Sequence, residues 1–271
     1  MDAKTPANAQ ANGKYANVNG IKMYYEVHGS GHTLVLVHGG GSTIETNFGR
    51  LLPLLAQNRQ VVAMELQAHG HTSDRDAPES FEQDADDIAE LMRQLHITGA
   101  DILGFSNGGN TAMQLAIRHP ERVRKLVLAS VFFKREGMYP WFWDFMKNAS
   151  LQNMPQPYQD AYLQVNPGNR AGLQQMHDKD AARMQTFVDW KAESLQTIQA
   201  PALIVAADQD VVRAEHTVEI YRLMRHARLA ILPGTHGSYM AELMTADSAS
   251  KIPGLFAAMV EEWLDAPMPE K

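Results

Sequence analysis

Apolar residues along this chain fall into short β-rich runs separated by longer stretches with helical spacing. The first two runs, 15–18 and 21–27, flank Asn19-Gly20, and Asn-Gly between β-rich runs predicts a hairpin. Six more follow at 34–37, 61–64, 101–105, 126–129, 203–206 and 229–232. Run 33–37 is apolar without alternation, as a parallel strand buried on both faces requires. Between the runs, Ile88, Leu91, Met92 and Leu95 share one helical face, preceded by the capping-box pattern Ser80-x-x-Gln83. A last helix is read from Leu255, Phe256, Met259, Val260 and Trp263. An antiparallel start followed by alternating units predicts an α/β protein, a mostly parallel sheet with helices on both faces. Ligands should then bind outside the carboxyl ends of the strands.

One segment breaks the rhythm. Over 133–197 no buried strand is legible, and aromatic and Met residues accumulate instead, among them Trp141-Phe142-Trp143, Met146, Met154, Tyr158, Met176 and Trp190. We read 133–197 as a helical cap inserted into a core formed by 13–132 and 198–271. Most of these side chains must serve the cap's own packing. Three consecutive residues cannot all face one side of a helix, so Trp141, Phe142 and Trp143 are expected to contribute at least one ring to a substrate pocket. Met and aromatic walls favour apolar or aromatic substrates.

Composition narrows the classes. The 271 residues suit one large α/β domain with an insertion, or two small ones, and 45% hydrophobic against 20% charged residues reads as globular. A net charge of -7 argues against nucleic acid as a partner. No apolar stretch is long enough for a membrane span. The absence of Cys excludes disulfides, thiol nucleophiles and thiolate metal sites. No metal or other cofactor is expected, since no H-x-x-x-H or H-E-x-x-H falls on a predicted helix. A small-molecule substrate is the expected partner, and a homodimer stays open. Residues 1–12 are polar and expected to be disordered. They resemble the start of a mature exported protein, so export stands beside the cytoplasmic expectation.

The candidate chemistry lies where runs end. Gly104-Phe105-Ser106-Asn107-Gly108 follows an apolar run and opens a helical pattern, which is the G-x-S-x-G nucleophile elbow. Small residues at this spacing also occur in ordinary turns, so its strand-to-helix setting matters. Run 33–37 ends in His38-Gly39-Gly40-Gly41, a turn that can point N–H groups at a ligand. In such a site the N–H after the nucleophile, here Asn107, joins one from the glycine turn to hold an oxyanion. Gly40 is preferred over Gly41 as that donor, which leaves Gly41 a substrate contact. An acid after run 203–206 would orient an imidazole; Asp210 is preferred, with Asp208 as the alternative. His236 follows the last strand, and His69 and His71 are its only serious rivals among 11 histidines. His38 reads as a structural residue of the glycine turn.

With these motifs placed in the order Ser, Asp, His, the chain resembles the α/β-hydrolase superfamily from about residue 13 to 264. More narrowly it resembles capped serine hydrolases such as esterases, lactonases, cofactor-free haloperoxidases and C–C bond hydrolases. Glu65-x-x-Ala68-His69-Gly70-His71-Thr72 is similar to the family's D-x-x-G-x-G-x-S turn, with Glu65 and Ala68 as departures, and Ala207 replaces a usual Gly. The resemblance implies an eight-stranded, mostly parallel sheet with a helical cap, Ser106 as nucleophile, Asp210 as acid, His236 as base, and Gly40 and Asn107 as oxyanion donors. It implies cleavage of a carboxylic ester or lactone. A C–C hydrolase of ring-cleavage products comes second, and a lyase-like or peroxidase activity third. A non-catalytic ligand receptor on this fold is the reading from another class.

Overall fold

The computed structural model describes residues 13–268; the expected disorder of 1–12 lies outside the described residues. Eight strands form one sheet: β1 (Gly13–Val18), β2 (Ile21–His28), β3 (Thr33–Val37), β4 (Gln60–Met64), β5 (Ala100–Phe105), β6 (Val123–Ala129), β7 (Ala202–Gln209) and β8 (Ala227–Thr235). Their order is β1-β2-β4-β3-β5-β6-β7-β8. β2 pairs antiparallel with both neighbours, and every other pairing is parallel. At the predicted hairpin, Asn19 and Gly20 both take positive φ, 42° and 90°, the conformation a two-residue turn between twisted strands demands.

The helices are α1 (Ile44–Phe48), α2 (Leu52–Leu55), α3 (Phe81–Gln94), α4 (Asn107–Arg118), α5 (Pro140–Lys147), α6 (Gln156–Val165), α7 (Arg170–Gln185), α8 (Ala192–Gln196), α9 (Ala214–Leu223) and α10 (Ile252–Asp265). The period of two along each strand divides the core into two layers. Val35, Val37, Ile102, Leu126, Leu128 and Ile204 pack with α3 and α4. Leu34, Leu36, Leu103, Val127, Leu203 and Val205 pack with α1, α2 and α10 on the other face. Both sets are apolar, which is why the central strands lack alternation.

Two local expectations change. Ser80 Oγ accepts the Gln83 N–H at 3.1 Å, but Gln83 Nε2 donates to Asp87 Oδ1 at 2.9 Å, so the capping box is a single cap. In α10 the buried stripe is Phe256, Val260 and Leu264, while Leu255 is 64% exposed; the inward face lies round the helix from Leu255.

The stretch 133–197 holds α5, α6, α7 and α8, with only an isolated bridge between Met138 and Val212. It leaves after β6 and returns before β7, which are neighbours in the sheet, with Leu128 opposite Ile204. Among the described residues no helix is long and apolar enough to cross a membrane.

Candidate active site

Ser106 joins β5 to α4 with φ 54° and ψ -123°, a conformation that strains a residue bearing a Cβ. The flanking glycines make it attainable. A Cβ on Gly104 would lie 2.3 Å from the Gly108 carbonyl oxygen, and one on Gly108 would lie 2.2 Å from the Val37 carbonyl oxygen. The turn therefore packs directly against the end of β3 and presents Ser106 above the sheet.

Two loops deliver its partners. Ser106 Oγ is 3.2 Å from His236 Nε2, and His236 Nδ1 is 2.6 Å from Asp210 Oδ1. His236 follows β8 and Asp210 follows β7. Asp210 is buried and well supplied with donors: Ser130 Oγ at 2.5 Å, the Ala207 N–H at 3.2 Å and the Val212 N–H at 3.3 Å. Ser130 in turn pairs with Tyr239 Oη at 2.7 Å. Burial alone would raise the Asp210 carboxyl, but His236, Ser130 and the Ala207 N–H outweigh it and hold it below the usual carboxylate range. Burial likewise lowers His236, and the Asp210 charge outweighs that, leaving the imidazole above its ordinary value. An ionised Asp210 assigns the Nδ1 proton of His236 to itself, so Nε2 of the neutral ring is the acceptor facing Ser106.

The alternatives in the sequence separate cleanly. Asp208 is exposed and accepts the Gly234 N–H at 2.8 Å, closing the loop that carries His236. His71 sits on buried Glu65, with Nδ1 2.9 Å from Oε2. His69 faces Asp180 at 3.0 Å. His38 is fully buried, with Nδ1 2.7 Å from the Gly39 oxygen and Nε2 accepting the Leu66 N–H at 3.0 Å. Burial pushes it down to about 3, so it is a neutral tie between the glycine turn and the loop after β4.

The glycine turn lies against the elbow. The Gly39 N–H donates to Asn47 Oδ1 at 2.6 Å, and the Gly41 N–H to Asp180 Oδ2 at 2.5 Å. Among the described residues the Gly40 N–H has no such partner. A Cβ on Gly40 would meet Asn107 Nδ2 at 2.6 Å, so this turn touches the first residue of α4. The N–H of Asn107, at a helix N-terminus, has no acceptor within the helix.

Beside Gly40 and Gly41 is a cavity of about 170 Å³, walled by Phe145, Met146, Met154, Tyr158, Met176 and Asp180 among others. Trp141, Phe142 and Trp143 do not line it. Trp141 is 55% exposed. Trp143 donates its indole N–H to the Arg135 oxygen at 2.7 Å, stacks on Phe187 and lies under the Arg135 guanidinium. Phe142 packs in the same cluster. Phe142 and Trp143 pack in the cluster that joins the segment to the core through Phe81, Phe132 and Val212, and α5 reaches the cavity one turn later, through Phe145 and Met146. Sequence reasoning also missed two pairings: Tyr158 Oη with buried Glu242 Oε1 at 2.5 Å, and Asp180 with the glycine turn. Each joins residues more than 80 positions apart, and no local pattern marks such contacts.

Comparison with known proteins shows the family to which this fold belongs. Residues 32–173 match the family model of the α/β hydrolase fold. The chain is 32% identical over 244 residues to pyrrolizixenacetamide deacetylase of Xenorhabdus hominickii, covering 81% of this chain and 89% of that protein. It therefore belongs to the α/β-hydrolase family. It is also 29% identical over 248 residues to serine hydrolase BPHL of Homo sapiens, covering 87% of this chain and 82% of that protein. Among solved structures it resembles the meta-cleavage product hydrolase from Pseudomonas fluorescens IP01, with a TM-score of 0.75, 21% identity and coverage of 94% and 98% of the two chains. At that identity the likeness concerns the fold alone.

Proposed function

We propose that this chain is a serine hydrolase that cleaves a carboxylic ester or lactone of a small, apolar acid, with 133–197 as the cap over its site. The observation that carries this reading is the continuous relay from Ser106 through His236 to Asp210 on a strained elbow. Serine alone is too weak a nucleophile, and the relay supplies the base it lacks. His236 Nε2 takes the Ser106 proton as Oγ bonds to the substrate carbonyl carbon, and the carbonyl oxygen becomes an oxyanion held by the Gly40 and Asn107 N–H groups. Collapse breaks the ester C–O bond, and the leaving alcohol takes the proton from His236. Water then gives a proton to His236 and its oxygen to the acyl carbon, and Ser106 leaves with that proton. Each oxyanion donor contributes roughly 3 kcal/mol in such sites.

We take the cavity beside Gly40 and Gly41 as the place of the acyl group, and on that reading it sets the scale of the acid. About 170 Å³ is below the roughly 300–1,000 Å³ of pockets for drug-sized ligands, and its walls are mainly Met, Phe, Ala and Pro. The relatives named above as a deacetylase and a serine hydrolase agree with acyl transfer to water.

The test is turnover of p-nitrophenyl acetate and butanoate by the parent and by Ser106→Ala. The parent should turn over, and the variant should lose at least about a thousandfold in kcat/KM while keeping its fold. A residual activity within about tenfold of the parent, worth about 1.4 kcal/mol of barrier, would sink the assignment. Turnover of a vinylogous diketone in place of esters would move the reaction to C–C cleavage, and saturable binding with no turnover of either would make the protein a receptor.

A further inference from the structure

Five charged or titratable residues, each more than nine-tenths buried, gather between α7, the first turn of α3 and the loops after β3 and β4: His69, Glu79, Asp84, Asp180 and Arg183. None takes part in the relay. Asp180 sits at their centre. Its Oδ2 accepts the Gly41 N–H at 2.5 Å and lies 3.0 Å from His69 Nε2, while Oδ1 is paired with Arg183. Arg183 reaches on to Asp84 Oδ2 at 2.8 Å and lies over the Phe81 ring. His69 Nδ1 is anchored on the Gln67 oxygen at 2.8 Å. A Cβ on Gly40 would come within 3.0 Å of Asp180 Oδ2, so the carboxylate stands directly behind the turn that carries the proposed oxyanion donor.

A bare carboxylate beside an oxyanion would repel it. Here His69 and Arg183 face it from two sides and offset its charge. What remains is its hydrogen bond to Gly41, whose N–H also lies 3.1 Å from His69 Nε2; with His69 protonated that nitrogen donates to Asp180, which leaves the carboxylate as the acceptor. Gly41 has φ +66°, so without that bond the turn has several conformations open to it. Donors in an oxyanion site act only when held within a fraction of an ångström of their aim.

Resting on the serine-hydrolase reading, we propose that Asp180 is a positioning residue: through the Gly41 N–H it holds the glycine turn so that the Gly40 N–H points at the oxyanion, which makes the oxyanion site complete only when α7 is seated on the core. The same contact commits the Gly41 N–H to Asp180, and this explains why Gly40 is the donor left over.

The experiment compares Asp180→Ala, Asp180→Asn and Asp180→Glu with the parent on p-nitrophenyl acetate, with kcat and KM determined separately and folding followed by circular dichroism and thermal melting. Both the Ala and Asn variants lose the charge that Arg183 and His69 require, so both should melt lower. Only Asp180→Ala also removes the side-chain oxygen that accepts from Gly41, leaving that N–H the longer contact with His69 Nε2 at 3.1 Å. It should lose about 10–100-fold in kcat with KM within about threefold, and Asp180→Asn should recover most of that kcat. If Asp180→Ala does not fold, Asp180→Glu carries the test. It keeps the charge but moves the carboxylate by one methylene, and kcat should fall about tenfold. Parent-like kcat in the folded Ala variant, or in Asp180→Glu when Ala does not fold, overturns the proposal, as do equal kcat losses in Ala and Asn. A parent without ester turnover overturns the hydrolase reading, and this inference with it.

Discussion

Asp208 and Asp210 stand two positions apart with the same chemistry, yet one meets His236 and the other a backbone N–H. Their separation shows what a single residue's place in a turn decides. Asp210 is buried beneath the imidazole with three donors besides, so its charge is fixed where a developing imidazolium needs it. Asp208 faces water and its pairing with Gly234 is replaceable. Asp210→Asn should therefore lower kcat by about 10⁴, through loss of the charge and the wrong tautomer of His236, while Asp208→Asn should stay within about tenfold. Steady-state kinetics of the two variants checks this, and a larger loss at Asp208 would reverse the assignment. The grouping of Ser106, Asp210 and His236 was legible in the sequence because each follows a predicted strand, and strand ends converge at one edge of such a sheet. Asp180 was not legible: it lies in mid-helix, 139 residues from Gly41, and an acid there looks like an ordinary solvated position.

At the scale of elements, strands were read more surely than helix faces. Six apolar runs became β3 to β8, with bounds extended by one to three residues where backbone pairing outlasts apolar character. In the 133–197 segment Trp141, Phe142 and Trp143 are expected at the pocket for their bulk, but Phe142 and Trp143 pack with Phe132 and Phe187 where the segment meets the core, and Trp141 lies largely exposed. The cavity wall falls to Met154, whose Cε would lie 3.1 Å from a Cβ on Gly41, and to its neighbours. Met154→Ala should open this wall. The ratio of kcat/KM for butanoate over acetate esters should rise by about fourfold for each methylene newly accommodated, at roughly 0.8 kcal/mol per buried CH₂. An unchanged ratio would place the acyl group elsewhere.

The whole molecule should carry a signature of its buried charges in its pH dependence. Burial lowers His69, but Asp180 outweighs it and lifts the ring from 6.5 to about 9. Burial lifts Glu79 from 4.5 to about 8. In both cases the folded protein holds a proton that the unfolded chain has released, so their contribution is full below the unfolded value and is lost as pH rises through the folded one. The windows overlap between about pH 6.5 and 8, and His69 extends the loss to about 9. The melting temperature should fall by several degrees from pH 6.5 to 9.5, and His69→Gln should flatten the upper part of that slope. A melting temperature constant over this range would show that the cluster does not hold these protons.

The place where 133–197 leaves the core has a consequence for how such a protein diversifies. Its two ends are gripped by β6 and β7, which pair with each other whatever lies between them. Doubling the length of a flexible excursion costs only about 0.6 kcal/mol in closure entropy. On the proposed reading, lineages are thus free to lengthen, shorten or exchange the excursion, and with it the shape of what the protein accepts, while Ser106, Asp210 and His236 stay at strand ends outside it. On the proposal above the freedom has one limit, set by Gly41: a replacement without a carboxylate where Asp180 stands gives up the short contact that aims the site's donors.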